Sequence, residues 1–493
     1  MSMNFVDQLY AVFEVHGERN AFCIEGIFYT YKELLAKTKS IAASLNEKAP
    51  GERKIGILAT NCLETYAGLL ACLMTGRTYI PIHPNHPPER TRQIVEQSQL
   101  QTILCNKYDR QNAVVRLIVT ENLDGSKIEL SNSKYNSAAD AYILFTSGST
   151  GIPKGVPITY GNLDSFITAF GKLGYQVTCE DRFLQMFDLT FDLSVMSYLV
   201  PLCIGACVYT LPDEGMKFTN VYNILEEYNV TFALMVPSIL ASLKQYFHEI
   251  DLPALRYSLF CGEALYTETT IGWMKCAPNA IVENVYGPTE ATIFCMTYPV
   301  TRDGLIEDYN GIISIGKSMA GMESQIADSD GHLLEGEVKG ELCLAGDQLT
   351  MGYLNSDRNK TAFFEHNGTR YYRTGDIAFR TSNGNFMYAG RVDHQVKIQG
   401  YRIELSEIEF HLRQITNDSN LVALAIPNHA GQLEIQAVFE GQYIDVSGTL
   451  SELETKIPSY MMPTQVHFVK TFPLNTNGKT DRNELTKILN STK

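Results

Sequence analysis

The sequence contains no apolar run long enough to cross a bilayer. Its longest stretches, such as residues 198–209, fall short of the roughly 20 residues that a spanning helix needs. It has no C-x-x-C pair, and its 11 cysteines are scattered, the nearest two being Cys203 and Cys207. That spacing argues against a disulfide framework or a zinc knuckle and for buried free thiols. Basic charge is scarce: 40 Lys and Arg face 55 Asp and Glu, a balance of −15. A general nucleic-acid binder or a protein of acidic membrane surfaces is not expected from that balance. The first residues, MSMNFVDQLY, lack the basic start and apolar run of a signal peptide, so a cytoplasmic location and no membrane insertion are expected. No long-period repeat and no low-complexity tract is present.

What is present is a long chain of ordinary globular composition, 493 residues with 45% hydrophobic and 19% charged. That length admits about two to four domains and a large core. Residues 54–60, KIGILAT, read as a buried strand. Leu163, Phe166, Ile167 and Phe170 recur at helical spacing, with Asn162 placed as the cap. Ile408, Leu412 and Ile415 repeat the pattern, and Ser406 with Glu409 has the spacing of a capping box. Alternating strand and helix patterns predict an α/β fold with mostly parallel sheets flanked by helices. The polar, charged segment GRVDHQVKIQGYRIE at 390–404 marks a boundary. It predicts a large domain over 1–392 and a small α+β domain over 393–493.

The strongest local signal is YILFTSGSTGIPKG at 142–155. An apolar run delivers the chain into Thr146, Ser147, Gly148, Ser149, Thr150 and Gly151, and Lys154 follows. Glycines expose successive N–H groups, hydroxyls add donors and the lysine adds charge, which suits phosphates. The string is not a Walker loop, because Ile152 and Pro153 follow the last loop glycine.

This string resembles the phosphate loop of the adenylate-forming superfamily, which includes acyl-CoA synthetases, luciferases and the adenylation domains of nonribosomal peptide synthetases. The resemblance continues, in the superfamily's motif order, through ENVYGPTEAT (283–292), GELCLAGDQLTMGYL (340–354), YYRTGDIA (371–378), the 390–404 segment and NTNGKTDR (475–482). It implies ATP and Mg²⁺ as cofactors and an attack of a carboxylate on the α-phosphate, where two anions meet and pyrophosphate leaves. By resemblance, residues 146–151 and Lys154 hold the phosphates, Thr289 bonds the α-phosphate and Glu290 binds Mg²⁺. Asn284, Val285, Tyr286, Gly287 and Pro288 form the adenine side, with Tyr286 stacked on the base. Asp376 takes the ribose hydroxyls, with Arg391 beside it. Lys479 bridges the substrate carboxylate and ATP. A Walker reading of its G-K-T fails because Pro473 stands where glycine is required. Asp393 lies at the hinge about which the small domain rotates between two half-reactions.

FDLTFDLSVM at 187–196 bears on the substrate. Members that activate α-amino acids carry an aspartate in F-D-x-S-V that pairs with the ammonium, here Asp192. Asp188 repeats the pattern but lacks the following Ser-Val. The remaining pocket positions carried over are Leu193, Met196, Leu234, Leu259, Cys261, Val285, Ile293 and Phe294. None adds a charge, which implies a small apolar side chain. FDLSVM, SLFCGEAL and VYGPTEAT are similar to D-alanine–carrier-protein ligases, in which a cysteine before Gly-Glu shapes the pocket; Cys261 holds that place. Leu234 and Val285 depart from the ligase pattern. Adenylation of another apolar amino acid in a peptide pathway stays open beside D-alanine, as does an inactive ATP or amino-acid sensor. No phosphopantetheine serine motif follows the lysine loop, so the expected acceptor is the thiol of a separate carrier protein.

Overall fold

The computed structural model describes residues 3–107, 115–123, 135–148, 151–416, 420–428, 431–441, 445–474 and 480–491. Ser149, Thr150 and Lys479, all assigned roles above, lie outside the described residues.

Short β-branched and apolar runs followed by amphipathic helices build two mixed sheets. One has nine strands. Its centre is parallel, running through Arg182–Gln185, Phe232–Met235, Tyr257–Phe260 and Ile281–Tyr286. The other has six strands and carries Lys54–Leu58 beside Thr78–Ile82, with Asp140–Thr146 next in order. Its edge strand Lys154–Thr159 returns antiparallel to Asp140–Thr146, so the glycine-rich loop is the connection of a hairpin. A third sheet, built from residues 322–391, is antiparallel throughout. The expected α/β class with parallel sheets and flanking helices is what the chain forms, with this antiparallel layer added.

Local chemistry sets several boundaries. The helix Tyr160–Gly171 begins one residue after Thr159, whose hydroxyl caps it; Asn162 is not the cap but its capping-box partner three residues on. The expected Ser406–Glu409 capping box does not form. Glu409 instead accepts from Ala423 N and from Arg413 and Arg482. The helix already begins at Leu405, so Ser406 lies inside it, and the more distant Ala423 and Arg482 take up the Glu409 carboxylate. The helix Asp192–Ile204 is buried on every side and stops at Gly205, at φ +83°, a conformation glycine adopts without strain.

The apolar core is divided. The main cluster runs from Phe5 to Phe386 and includes Trp273, the chain's single tryptophan. A separate cluster joins Ile403, Leu405, Ile408 and Leu412 to Ile435, Phe439 and Met461. This second core packs the helix Leu405–Thr416 on the three-stranded sheet of residues 421–469. Among the described residues, no helix is long and apolar enough to cross a membrane.

Separate cores imply separable unfolding. Leu412→Ala removes a fully buried side chain from the smaller core, a loss of about 2–5 kcal/mol. Amide exchange across 403–468 should accelerate while the denaturant midpoint of Trp273 fluorescence stays in place. An equal shift of both would mean one cooperative unit.

Candidate functional site

The cleft lies beyond the carboxyl ends of the parallel strands, where open α/β sheets bind ligands. Leu234 and Leu259 face each other on adjacent strands, and Cys261 follows the end of Tyr257–Phe260. Gly287, Pro288 and Thr289 follow the end of Ile281–Tyr286. Thr146, Ser147, Asp192, Leu193, Cys261 and Thr289 line the cleft, as do Gly287, Pro288, Asp376 and Arg391. Met196, Leu234, Leu259, Val285, Ile293 and Phe294 are packed into the main core around it. The turn after Thr289 is unusual. Thr292 and Ile293, both β-branched, hold positive φ of 55° and 74°, a strained arrangement that concentrates at functional sites.

The described part of the glycine-rich loop is held by the C-terminal region. Gly148 N donates to Glu407 Oε2 at 2.9 Å, and Lys154 Nζ pairs with Glu404 Oε1 at 2.8 Å. Ser147 Oγ donates to Arg402 O at 2.7 Å and accepts from Glu404 N at 3.2 Å. Buried Arg90 holds the other oxygen of Glu407 at 3.0 Å. A Cβ on Gly148 would lie 2.0 Å from Ile152 O, and one on Gly151 2.4 Å from the Phe410 ring. The loop thus admits only glycine at 148, and two carboxylates occupy donors of the kind that phosphates require. Thr146 Oγ1, buried beside them, has no partner among the described residues.

Glu290 is completely buried. Burial opposes its charge, but Arg402 and the Tyr353 hydroxyl outweigh that and hold its carboxyl down at about 2. Tyr353 OH donates to Oε1 at 2.6 Å and Arg402 Nη1 to Oε2 at 2.8 Å. An ionised carboxylate near the phosphate loop fits a hard divalent cation. Each oxygen already carries one donor, so a cation here would share the carboxylate with the Arg402 guanidinium, whose like charge opposes it.

Asp192 stands differently. Burial pushes its carboxyl up to about 6, against the pull of Thr289 and the Leu193 amide. Among the described residues it has no ion-pair partner, whereas Asp376 has Arg391, and His83 Nε2 lies 3.1 Å from Asp188 Oδ2. Asp188 also accepts from the Thr190 amide and hydroxyl. The two aspartates of the repeated Phe-Asp pattern are thereby told apart: Asp188 is engaged by its neighbours, and Asp192 faces the cleft with no paired cation among the described residues. Burial raises the Cys261 thiol to about 12, so it is a neutral wall.

Asp376 is buried and accepts from the Tyr286 hydroxyl and from Arg391 Nη1, the latter at 2.6 Å. Arg391 also clasps Asp393 through Nε at 2.6 Å and Nη2 at 2.8 Å. The Asn284 amide donates to the Ile313 and Ser314 carbonyls, so its nitrogen supports the backbone. The sequence reading did not single out Arg402, Glu404, Glu407, Arg90 or Lys397. Lys397 lies 5.4 Å from the Tyr286 ring centroid and lines the cleft. Only their place in the 390–404 motif and its continuation could have drawn attention to most of them.

Residues 9–354 match the family described as AMP-binding enzyme. The chain is 33% identical over 494 residues to a linear gramicidin synthase of Brevibacillus parabrevis, covering 97% of this chain but 10% of that protein. It likewise spans only 18% of a mycosubtilin synthase of Bacillus subtilis. It is 30% identical over 502 residues to the D-alanine–D-alanyl carrier protein ligase of Bacillus licheniformis, covering 98% of this chain and 99% of the ligase. The Vibrio cholerae adenylation domain AlmE, solved with glycyl-adenosine-5'-phosphate, superposes with a TM-score of 0.88 at 28% identity, covering 100% of this chain and 98% of AlmE. Family match, full-length relatives and shared fold agree: the chain belongs to the AMP-binding enzyme family, as its six ordered motifs imply.

Proposed function

We propose that this chain activates a small apolar amino acid, D-alanine in the first instance, with ATP and Mg²⁺ and passes it to the phosphopantetheine thiol of a separate carrier protein. The observation that carries the reading is Asp192: a buried carboxylate with no ion-pair partner among the described residues, beside Thr289 in a cleft walled by apolar side chains and a neutral thiol. Such a group calls for a cation from the ligand, and an α-ammonium supplies one. The full-length similarity to a D-alanine–D-alanyl carrier protein ligase supports the substrate and the acceptor.

In this reading residues 1–392 hold ATP and the amino acid, and residues 393–493 bring Lys479. Residues 146–151 and Lys154 take the leaving phosphates, Thr289 the α-phosphate, and Asp376 with Arg391 the ribose. Tyr286 and its neighbours face the adenine. Glu290 holds Mg²⁺, which supplies charge neutralisation as the two anions meet. Asp393 is the hinge at which the C-terminal region turns between adenylation and transfer. The arrangement described, with Arg402, Glu404 and Glu407 docked on the loop and on Glu290, suits the transfer step, since the phosphates have then left. Adenylation of another apolar amino acid for a peptide pathway is favoured by one observation, the similarity to peptide synthetases. Amino-acid-dependent ATP–pyrophosphate exchange over a panel of D- and L-amino acids decides between them. Exchange with no amino acid would overturn activation altogether.

Two outcomes follow from the pocket. The Asp192 carboxyl titrates at about 6 in the free chain, and only its ionised form pairs with an ammonium. kcat/KM for the amino acid, which reports the free enzyme, should therefore fall as pH drops through that value. Asp192→Asn should remove this limb and cost about 3–5 kcal/mol, roughly 10²- to 10⁴-fold in kcat/KM. An unchanged profile in the variant would exclude Asp192 as the ammonium partner. With ammonium and carboxylate both held, the methyl and hydrogen on Cα exchange places between enantiomers. Cys261 would admit the methyl in one place only. D-alanine should be preferred about 10- to 200-fold over L-alanine, and Cys261→Ala should raise L-alanine use more than D-alanine use. A preference for L-alanine or a larger L-amino acid would favour the peptide-pathway reading.

A further inference from the structure

The Cys-Gly-Glu run that supplies Cys261 ends in Glu263, a partly buried residue with no part in the reading above. Its Oε2 accepts from Ser238 N at 2.8 Å and its Oε1 from Gly400 N at 3.0 Å. The neighbouring Gln399 amide lies close enough to favour this carboxylate's charge. Ser238 belongs to the main body of the chain. Gln399 and Gly400 are the two-residue turn between the strands Gln395–Ile398 and Tyr401–Glu404. Both turn residues have positive φ, 52° and 83°, the arrangement of a tight hairpin turn that points successive N–H groups outward. The turn is seated closely: a Cβ on Gly400 would lie 2.7 Å from Val236 Cγ1.

The same hairpin brings Lys397 and Arg402 to the cleft, with Arg402 on Glu290 and Lys397 over Tyr286. Lys397 and Arg402 each stand two residues from this turn, so where the tip is anchored bears on where those two cations sit. Glu263 anchors the tip with a carboxylate, which accepts only and so matches a pair of outward N–H groups. We propose that Glu263 is the receptor for the Gln399–Gly400 turn, a positioning residue that sets the 395–404 hairpin for thiol transfer and has no part in adenylation. The inference rests on the two-step reading given above.

The test uses the full chain and two variants, one on each side of the contact. Glu263→Gln replaces one accepting oxygen by an N–H donor, which must face a backbone N–H. Gln399→Pro removes an amide from the turn and cannot adopt positive φ. Hydrogen exchange of the ligand-free chain reads the contact without reference to catalysis: the amides at 399 and 400 should exchange faster in Glu263→Gln. The catalytic arm compares ATP–pyrophosphate exchange with transfer from preformed aminoacyl-AMP to pantetheine. Transfer should fall about 10- to 100-fold in both variants, the loss expected for a charge-assisted hydrogen bond, with pyrophosphate exchange within about threefold and the KM for pantetheine nearly unchanged. Unaltered hydrogen exchange at 399–400 in Glu263→Gln would overturn the contact. Equal loss of both half-reactions would overturn the transfer-specific role. Faster exchange at the turn in a chain whose wild type activates no amino acid would uphold the contact while the functional reading fails.

Discussion

The arrangement of the cleft depends on a competition among anions for one set of donors. The loop around Gly148 and the ammonium of Lys154 form a site that a phosphate or a carboxylate can satisfy. In the structure Glu404 and Glu407 satisfy it. Each is itself buried and bound at a second point, Glu407 by Arg90 and Glu404 by Gln395. Buried charges persist only when paired in this way. A phosphate bound on Gly148 and Lys154 would have to displace the Glu407 hydrogen bond and the Glu404 ion pair, and on its departure those carboxylates could refill the donors. A related opposition holds at Glu290, where the Arg402 guanidinium would repel a divalent cation brought to the same carboxylate.

The divided core makes that exchange physically reasonable. The helix Leu405–Thr416 and its sheet bury their apolar face against one another, not against the main body. What joins the two is largely polar: ion pairs, backbone hydrogen bonds to Ser147, Gly148 and Glu263, and a stack of Tyr401 on Tyr460 met edge-on by Phe191. Polar contacts can be traded for others of similar worth, whereas an apolar interface would have to be exposed to water. Phe191 adjoins Asp192, so the aromatic contact sits next to the residue proposed above to pair with the ammonium.

Much of this was legible in the sequence because the motifs lie at strand ends. Gly148, Cys261, Gly287 and Thr289 all follow strands of the two mixed sheets, and a glycine or hydroxyl there is visible in the local string. Asp192 was separable from Asp188 only by the residues after it; the His83 and Thr190 contacts give the physical reason. The partners of the loop were not legible. Gly148 and Glu407 are 259 positions apart, and neither periodicity nor composition carries pairing at that range. The Asn162 and Glu409 contacts differed from expectation for a related cause. A capping residue can be displaced by a better-placed neighbour, as Thr159 shows, and a box does not form where its first residue lies inside the helix, as Ser406 does. The positive φ at Thr292 and Ile293 had no sequence signal, since β-branched residues ordinarily avoid it.

The competition for the loop is tested most directly by a crystal structure of the chain with Mg²⁺ and a nonhydrolysable ATP analogue. The expected result is nucleotide phosphates on Gly148 and Lys154, with Glu404 and Glu407 moved away from both and Arg402 withdrawn from Glu290. Phosphates bound on the loop with the Lys154–Glu404 and Gly148–Glu407 contacts intact would contradict it.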